Sequence, residues 1–208
     1  MSPFNYRKAV QVINLFVIQE GGSIDKLKIV KLIWLADRLH LRKYGRPILM
    51  DNYYAMIKGP IPSHTKDLTE SENVYLNDQE IAYRDEFLSP TSKIFSLSPR
   101  KKNYTIKSIK KADTNVLSKT DIQCIDIVYS AFGGNTGNQL SEISHFYPEW
   151  NKYQEQLNND RYSTFPMFYE DFFNNPITDN SPIFDQTPED LRISKEIFSE
   201  SFSLHNFL

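Results

Sequence analysis

Between Gly22 and Pro47 the chain carries a stretch that is apolar on almost every side, and this stretch governs how the rest must be arranged. Leu27, Ile29, Val30, Leu32, Ile33, Trp34, Leu35, Ala36, Leu39 and Leu41 fall all round a helix, leaving a narrow basic stripe of Lys28, Lys31, Arg38 and Arg42. A helix of this kind, expected over 24–44, has to be packed by neighbours on several sides, so it is the central element. Its ends are marked. Ser23 is placed to cap the first turn. Arg42 and Lys43 sit in the last turn, where the helix dipole favours cations. Gly45 suits the left-handed residue that closes a helix, and Pro47 follows two residues on.

The neighbours are legible in outline. Residues 5–20 form a helix whose inner face is Ala9, Ile13, Phe16 and Val17, ended by Gly21-Gly22. After the central helix, 48–57 reads as a short extended segment or half-turn, and Gly59-Pro60-Ile61-Pro62 as a bend. Ser63 caps a short helix over 64–72, and 73–92 is polar and irregular. Lys93–Ser98 and Tyr104–Ile109 are two strands joined by the loop Pro99–Asn103. Ser118-Lys119-Thr120-Asp121 is a capping box, stapled by Leu117 and Ile122. Its helix buries Ile122, Ile125, Val128, Tyr129 and Phe132 and stops at Gly133-Gly134. Thr136 opens another helix to Tyr147, with Leu140 and Ile143 inward. Residues 158–187 are loop-rich and aromatic, and Thr187-Pro188 begins a last helix that runs to Ser199. The fold class is α-rich α+β, a helical core with a small β-hairpin inserted at 93–109.

Composition narrows the function. A chain of 208 residues, 40% hydrophobic and 24% charged, can bury a core. Cys124 is the single cysteine, so no internal disulfide marks an oxidising compartment. The first residues lack the basic and apolar regions of a secretory leader, and the longest apolar runs, 13–18 and 32–36, are too short to cross a bilayer. The cytosol is the expected location, with no membrane partner. The net charge of −2 hides an asymmetry: from Glu149 onward eleven acidic residues face four basic ones, a charge of −7, while 1–148 carry +5. Such a segment is a solvated periphery or a cover for a basic surface.

Candidate chemistry is sparse. His40, His64, His145 and His205 form no i, i+4 pair, so no metal site is expected. Cys124 and His145 are a thinkable nucleophile and base, but a thiol in mid-helix beside an apolar face behaves as an inert small hydrophobe. No catalytic residue and no cofactor are assigned. Gly133-Gly134-Asn135-Thr136-Gly137 shares only its composition with a phosphate-binding loop: a helix precedes it and no lysine follows. A helix stop joined to a helix start accounts for it. Arg100, Lys101, Lys102, Lys107, Lys110 and Lys111 place six basic residues and no acid in twelve positions. They are a possible nucleic-acid patch, or, as the favoured reading, lysines that guard a hairpin edge against aggregation. A helix-turn-helix from the first two helices is disfavoured, because the second is too apolar to lie in a DNA groove.

Two stretches carry a resemblance. Lys31–Pro47 has a helix ending in Leu35-Ala36-Asp37, then Leu41, Tyr44-Gly45 and Pro47. Its continuation has Tyr53, Ala55 and Gly59-Pro60-Ile61-Pro62. Together with Leu117-Ser118…Asp121, Leu140–His145 and Pro148-Glu149-Trp150, these resemble the Panacea domain, the SocA-like antitoxin family also found in phage-associated proteins. The resemblance covers residues 5–155. It departs mildly at Trp34, where tyrosine is common, and at Met50, where a small residue is common. It implies a domain over 1–155, with 156–208 an acidic aromatic extension packed on or appended to it. It also implies an antitoxin, not an enzyme, that neutralises a cognate toxin by direct binding, and that serves in at least one relative as an adaptor to a AAA+ protease. A nucleic-acid-binding regulator using 100–111 is the alternative. The motif suggests a partner-contacting set of Asp37, Arg38, Arg42, Arg46, Tyr53, Lys58 and Pro60, and Asp37 or Arg38 can instead pair with Arg46. Trp34, Tyr44, Gly45, Pro47 and Gly59 read as residues that shape the fold.

Overall fold

In the computed structural model, which describes residues 4–95, 98–178 and 181–205 (backbone alone at 94–95, 98–102 and 202–205), the first helix opens where Asn5 accepts the N–H groups of Arg7 and Lys8. This helix, α1 (Tyr6–Gln19), buries Ala9, Val10, Ile13, Phe16 and Val17. Gly21 and Gly22 follow with φ of 88° and 95°, values that suit glycine. The next residues depart from expectation. Ser23–Asp25 form a short strand, β1, so the cap of the central helix is Asp25 rather than Ser23; Asp25 accepts from the N–H groups of Leu27 and Lys28.

The central helix, α2 (Lys26–Tyr44), is enclosed as its sequence requires. Trp34 is fully buried and meets the Tyr147 ring edge-on at 5.1 Å between centroids. The basic stripe is buried with the rest: Lys28, Lys31, Arg38 and Arg42 are all at or below 8% exposure. Gly45 closes the helix at φ 65°, and a Cβ there would fall 2.6 Å from the Ser194 carbonyl oxygen, so this glycine is also a docking point for the C-terminal helix.

Tyr53–Met56 (β2) and Gly59–Pro62 (β3) form a tight antiparallel hairpin. The expected bend at 59–62 is therefore a strand. It lies at the edge of its sheet, where a proline's missing N–H removes no ladder bond. Asp51 then starts α3 (Ser63–Leu68) from outside the helix: its carboxylate accepts the N–H groups of His64 and Thr65 and the Thr65 hydroxyl. The expected cap, Ser63, is instead the first helical residue.

Residues 73–92 are more regular than their composition suggests. An Asn77–Glu80 capping box starts α4 (Asp78–Phe87), which runs straight into β4 (Leu88–Phe95). β5 (Ser98–Ser108) pairs with β4 from Leu88↔Ser108 to Ile94↔Lys102, followed by a bulge, and with β1 on its other side. The inserted hairpin is thus present but longer than expected, and Pro99–Asn103 is strand rather than loop. Ser96 and Leu97, assigned to the first strand from sequence, lie outside the described residues.

The Ser118–Asp121 capping box forms as read and starts α5 (Lys119–Phe132). α6 (Gly137–Ser144) ends earlier than expected; Pro148 begins a separate turn, α7 (Pro148–Asn151), and α8 (Gln154–Asn159) follows. Phe165–Pro166 (β6) adds to β2. Tyr169–Phe173 and Pro182–Phe184 are short 3-10 turns, and α9 (Pro188–His205) is longer than expected. Phe172, Phe173, Phe184 and Phe198 from this acidic aromatic stretch are buried in the same core as Trp34.

A chain cut after Leu157 removes all four of these phenylalanines. Burying one such ring is worth roughly 1.5–3 kcal/mol, so the loss of four is comparable to the whole of a typical domain's stability. The expected outcome is loss of the cooperative thermal transition by circular dichroism. A truncated protein that melts within a few degrees of the full chain would refute it.

Candidate functional site

The buried charged residues of α2 each find a partner inside the protein. Asp37 Oδ1 accepts the N–H groups of Ile48 (2.9 Å) and Leu49 (3.1 Å), and Oδ2 accepts the Tyr53 hydroxyl at 3.0 Å. It fastens the end of α2 to β2. Complete burial outweighs these three donors and pushes the Asp37 carboxyl up to about 7. Arg46 pairs with Asp121 (3.0 Å), not with Asp37 or Arg38. Asp121 also takes Lys8 at 2.8 Å and faces His40 Nε2 at 3.2 Å. Burial works against ionisation here, yet the bonds from His40, Lys8 and the Ser118 N–H hold the Asp121 carboxyl well below the usual range.

Arg38 and Arg42 lie one turn apart on the opposite flank. Arg38 Nη1 donates to Glu149 at 2.8 and 3.0 Å and to the Phe172 carbonyl at 2.7 Å; Nη2 donates to the Asn174 carbonyl at 2.6 Å. Its guanidinium lies 4.6 Å from the Tyr147 ring centre. Arg42 donates to the carbonyls of Phe173 (2.7 Å) and Phe184 (3.0 Å) and to Gln186 Oε1 (2.9 Å). Burial, then the Arg38 charge, bring the Arg42 guanidinium down to about 9. Asp37, Arg38, Arg42 and Tyr53, expected to meet a partner, are thus buried, with their polar groups engaged inside the chain apart from Arg38 Nε, which has no hydrogen-bond partner among the described residues. Pro60 is buried too, Arg46 is half-exposed, and Lys58 is exposed. Of the shape-setting residues, Trp34 and Pro47 are buried, Tyr44 is half-buried against His40, and Gly45 and Gly59 have positive φ.

In the sequence Glu149 belongs to the Pro148-Glu149-Trp150 motif and heads the acidic segment. The signal that singles it out is a lone carboxylate between proline and tryptophan, where a solvated acid would be out of place. Lys31 was likewise read only as part of a stripe. It is fully buried, donates to the Pro60 carbonyl at 2.6 Å, and burial together with the Lys58 charge holds its amine well below the usual range.

The other candidates separate. Cys124 is buried, and burial pushes its thiol up to about 12. His145 stacks on Trp150 at 3.7 Å and is brought down to about 4 by burial and by Lys31; no hydrogen bond joins it to Cys124 among the described residues. Among those residues no group of three or more histidine, cysteine or acidic side chains gathers around a metal site. Lys110 is tied to Glu86, Lys111 is exposed, and the side chains of Arg100, Lys101 and Lys102 lie outside the described residues.

A groove of about 1260 Å³ opens where the start of α2, the β2–β3 turn, Asn103–Thr105 of β5 and the loop 133–138 meet. The glycine-rich loop is pressed onto α2: a Cβ on Gly137 would lie 2.8 Å from the Lys28 nitrogen. Lys26, Lys28, Lys58 and Lys66 line the groove against Glu20 and Asp25.

Removing the Glu149 carboxylate leaves Arg38 buried without a counter-charge. Glu149→Ala is expected to cost about 3–5 kcal/mol in urea denaturation, and Arg38→Met with Glu149→Leu to cost less than the single change. Equal losses for the two would refute the pairing. Asp37 generates a second test. Its folded pKa lies above the unfolded value of about 3.9, so its contribution is full below that pH and fades as pH rises through about 7. Asn at 37 keeps an acceptor for the Ile48 and Leu49 N–H groups without titrating, and its amide can donate to the Tyr53 oxygen. Relative to Asp37→Asn, the wild type should therefore lose on the order of 3 kcal/mol between pH 4 and 8. A constant difference across that range would contradict the assignment.

Comparison with protein families gives one match: the family described as antitoxin SocA-like, Panacea domain, over residues 29–151. No curated protein and no solved structure matches the chain.

Proposed function

The chain belongs to the Panacea family of SocA-like antitoxins, and we propose that it binds a partner toxin protein and holds it inactive by direct contact, in the cytosol and without chemistry of its own. The family match over 29–151 carries this reading. The chemistry of the side chains supports it. The one thiol is buried with its pKa raised, and the polar groups of α2 serve the fold. A motif spent on the interior makes a scaffold, and contact with the partner then falls to the surface around it. Of the partner set drawn from the motif, the exposure of Lys58 and of part of Arg46 supports a share for them in that contact. Among the described residues no helix is long and apolar enough to cross a membrane. The nucleic-acid reading has less behind it, since Lys110 is already paired with Glu86.

Each gene flanking this one is to be expressed alone and then together with it. One neighbour should arrest growth, co-expression should restore growth, and the two proteins should co-purify. Toxin that disappears with time in rescued cells would add delivery to a AAA+ protease to the same contact. The absence of any toxic neighbour and of any stable complex would sink the reading. Replacing Lys101, Lys102, Lys110 and Lys111 by Gln should leave rescue unchanged, because scattered surface charges contribute little; lost rescue at an unchanged melting temperature would move the contact to the hairpin.

A further inference from the structure

We infer that the groove between the start of α2, the β2–β3 turn and the loop 133–138 receives an extended acidic segment of the partner protein, with Lys58 as the side chain that meets its charge. This rests on the binding reading above and adds where and how the partner is held.

Size and lining come first. The groove exceeds the roughly 300–1,000 Å³ of a small-molecule site, so it suits a length of chain. Its lining combines apolar side chains, Ile24, Leu27, Val30, Ile57 and Ile61, with lysines. Three of those lysines are engaged within the protein. Lys28 binds Glu20 at 2.5 Å and the Gly133 carbonyl at 2.7 Å, Lys26 binds Glu70 at 2.7 Å, and Lys66 binds Asp67 at 2.7 Å. Lys58 is different. It is exposed on the tight turn, and among the described residues it has no carboxylate partner.

Behind it lies the second observation. Lys31 is fully buried under the same turn and meets the Pro60 carbonyl but no carboxylate. Gly59 is wedged between: a Cβ there would fall 2.1 Å from Ser144 Oγ and 2.9 Å from Lys31 Nζ. Burial first, and then the nearby Lys58 charge, hold the Lys31 amine well below its usual range. Lys58 therefore carries a positive charge that no carboxylate among the described residues neutralises, and a carboxylate arriving there would balance it and relieve the pressure on Lys31. A phosphate polymer fits poorly, because nucleic-acid binding draws on several free cations and the apolar lining offers phosphate nothing.

Backbone geometry favours an extended occupant. The Ser108 N–H donates to the Gly22 carbonyl and the Ile109 N–H to the Phe87 carbonyl, so even-numbered residues of β5 face the β1 side and odd-numbered ones face β4. β1 ends at Asp25, opposite Thr105. Tyr104 and Lys102 consequently turn backbone groups toward a side where no strand follows among the described residues, and a partner segment can continue the row there.

The test titrates the toxin identified by co-expression into wild type, Lys58→Gln, Lys58→Glu, Asn138→Trp and, as a remote control, Lys111→Glu, with calorimetry and thermal melts. Lys58→Glu is expected to weaken binding by about tenfold or more at low salt and by less at high salt, with Lys58→Gln between. Asn138→Trp, which fills the groove without changing charge, is expected to weaken binding as well. Lys111→Glu should bind as wild type does. Lys58→Glu should melt no lower than wild type, since its carboxylate stands near Lys31. Wild-type affinity in both Lys58→Glu and Asn138→Trp would overturn the groove and leave the antitoxin reading standing. A wild-type chain that binds no neighbouring protein would overturn both. Tighter binding of a single-stranded RNA oligonucleotide than of the toxin, lost in Lys58→Glu, would also overturn it.

Discussion

Two guanidinium groups and one carboxylate share the interior beside α2, and the C-terminal third of the chain is arranged around them. Glu149 balances a single positive charge. The second is spread over backbone carbonyls, those of Phe172, Phe173, Asn174 and Phe184, which converge on Arg38 and Arg42. The arrangement serves both parties, with Arg38 Nε alone of the two guanidinium groups' nitrogens left without a partner among the described residues. The described residues of 172–178 and 181–186 form no long helix or strand, so their carbonyls lack ladder partners and would be costly to bury alone. The arginines supply the missing donors, and the aromatic rings of Tyr147 and Phe184 close over the Arg38 guanidinium at 4.6 and 5.2 Å. Either half without the other is an unsatisfied group in a dry interior.

What the sequence discloses follows from range. The central helix, its closure at Gly45 and the capping box at Ser118 depend on neighbours within a few residues, and all three form, the helix starting two residues later than read, behind Asp25 instead of Ser23. The family signature is equally local. α4 escapes because its residues face water on most sides, with Arg84 and Phe87 its buried ones, so no apolar period marks it. β1 escapes because three residues become a strand only when Lys107, 84 positions later, lies alongside Ser23. The basic stripe on α2 was visible; its burial was not, since Glu149 is 111 residues from Arg38 and the Phe184 carbonyl 142 from Arg42. Placement of the acidic stretch inside the core was hidden for the same reason, its net charge of −7 masking the phenylalanines that anchor it.

A division of labour results on the surface of α2. Its C-terminal half, from Asp37 onward, is occupied by internal bonds that fix the shape. Its N-terminal half, from Lys26 to Val30, forms one wall of the open groove. The residues that identify the family therefore lie largely apart from the wall that faces solvent, which lets the wall change while the frame holds.

The distance in sequence between Arg42 and its acceptors sets a clock. The Phe184 carbonyl is made 142 residues after Arg42, which at ribosomal speeds of 5–20 residues per second is roughly 7–28 s. Throughout that interval the central helix has been synthesised but lacks the segment that closes over it. Each new molecule thus passes through a period in which its most apolar element is open to proteases and chaperones, and the supply of finished protein depends on how quickly that period ends.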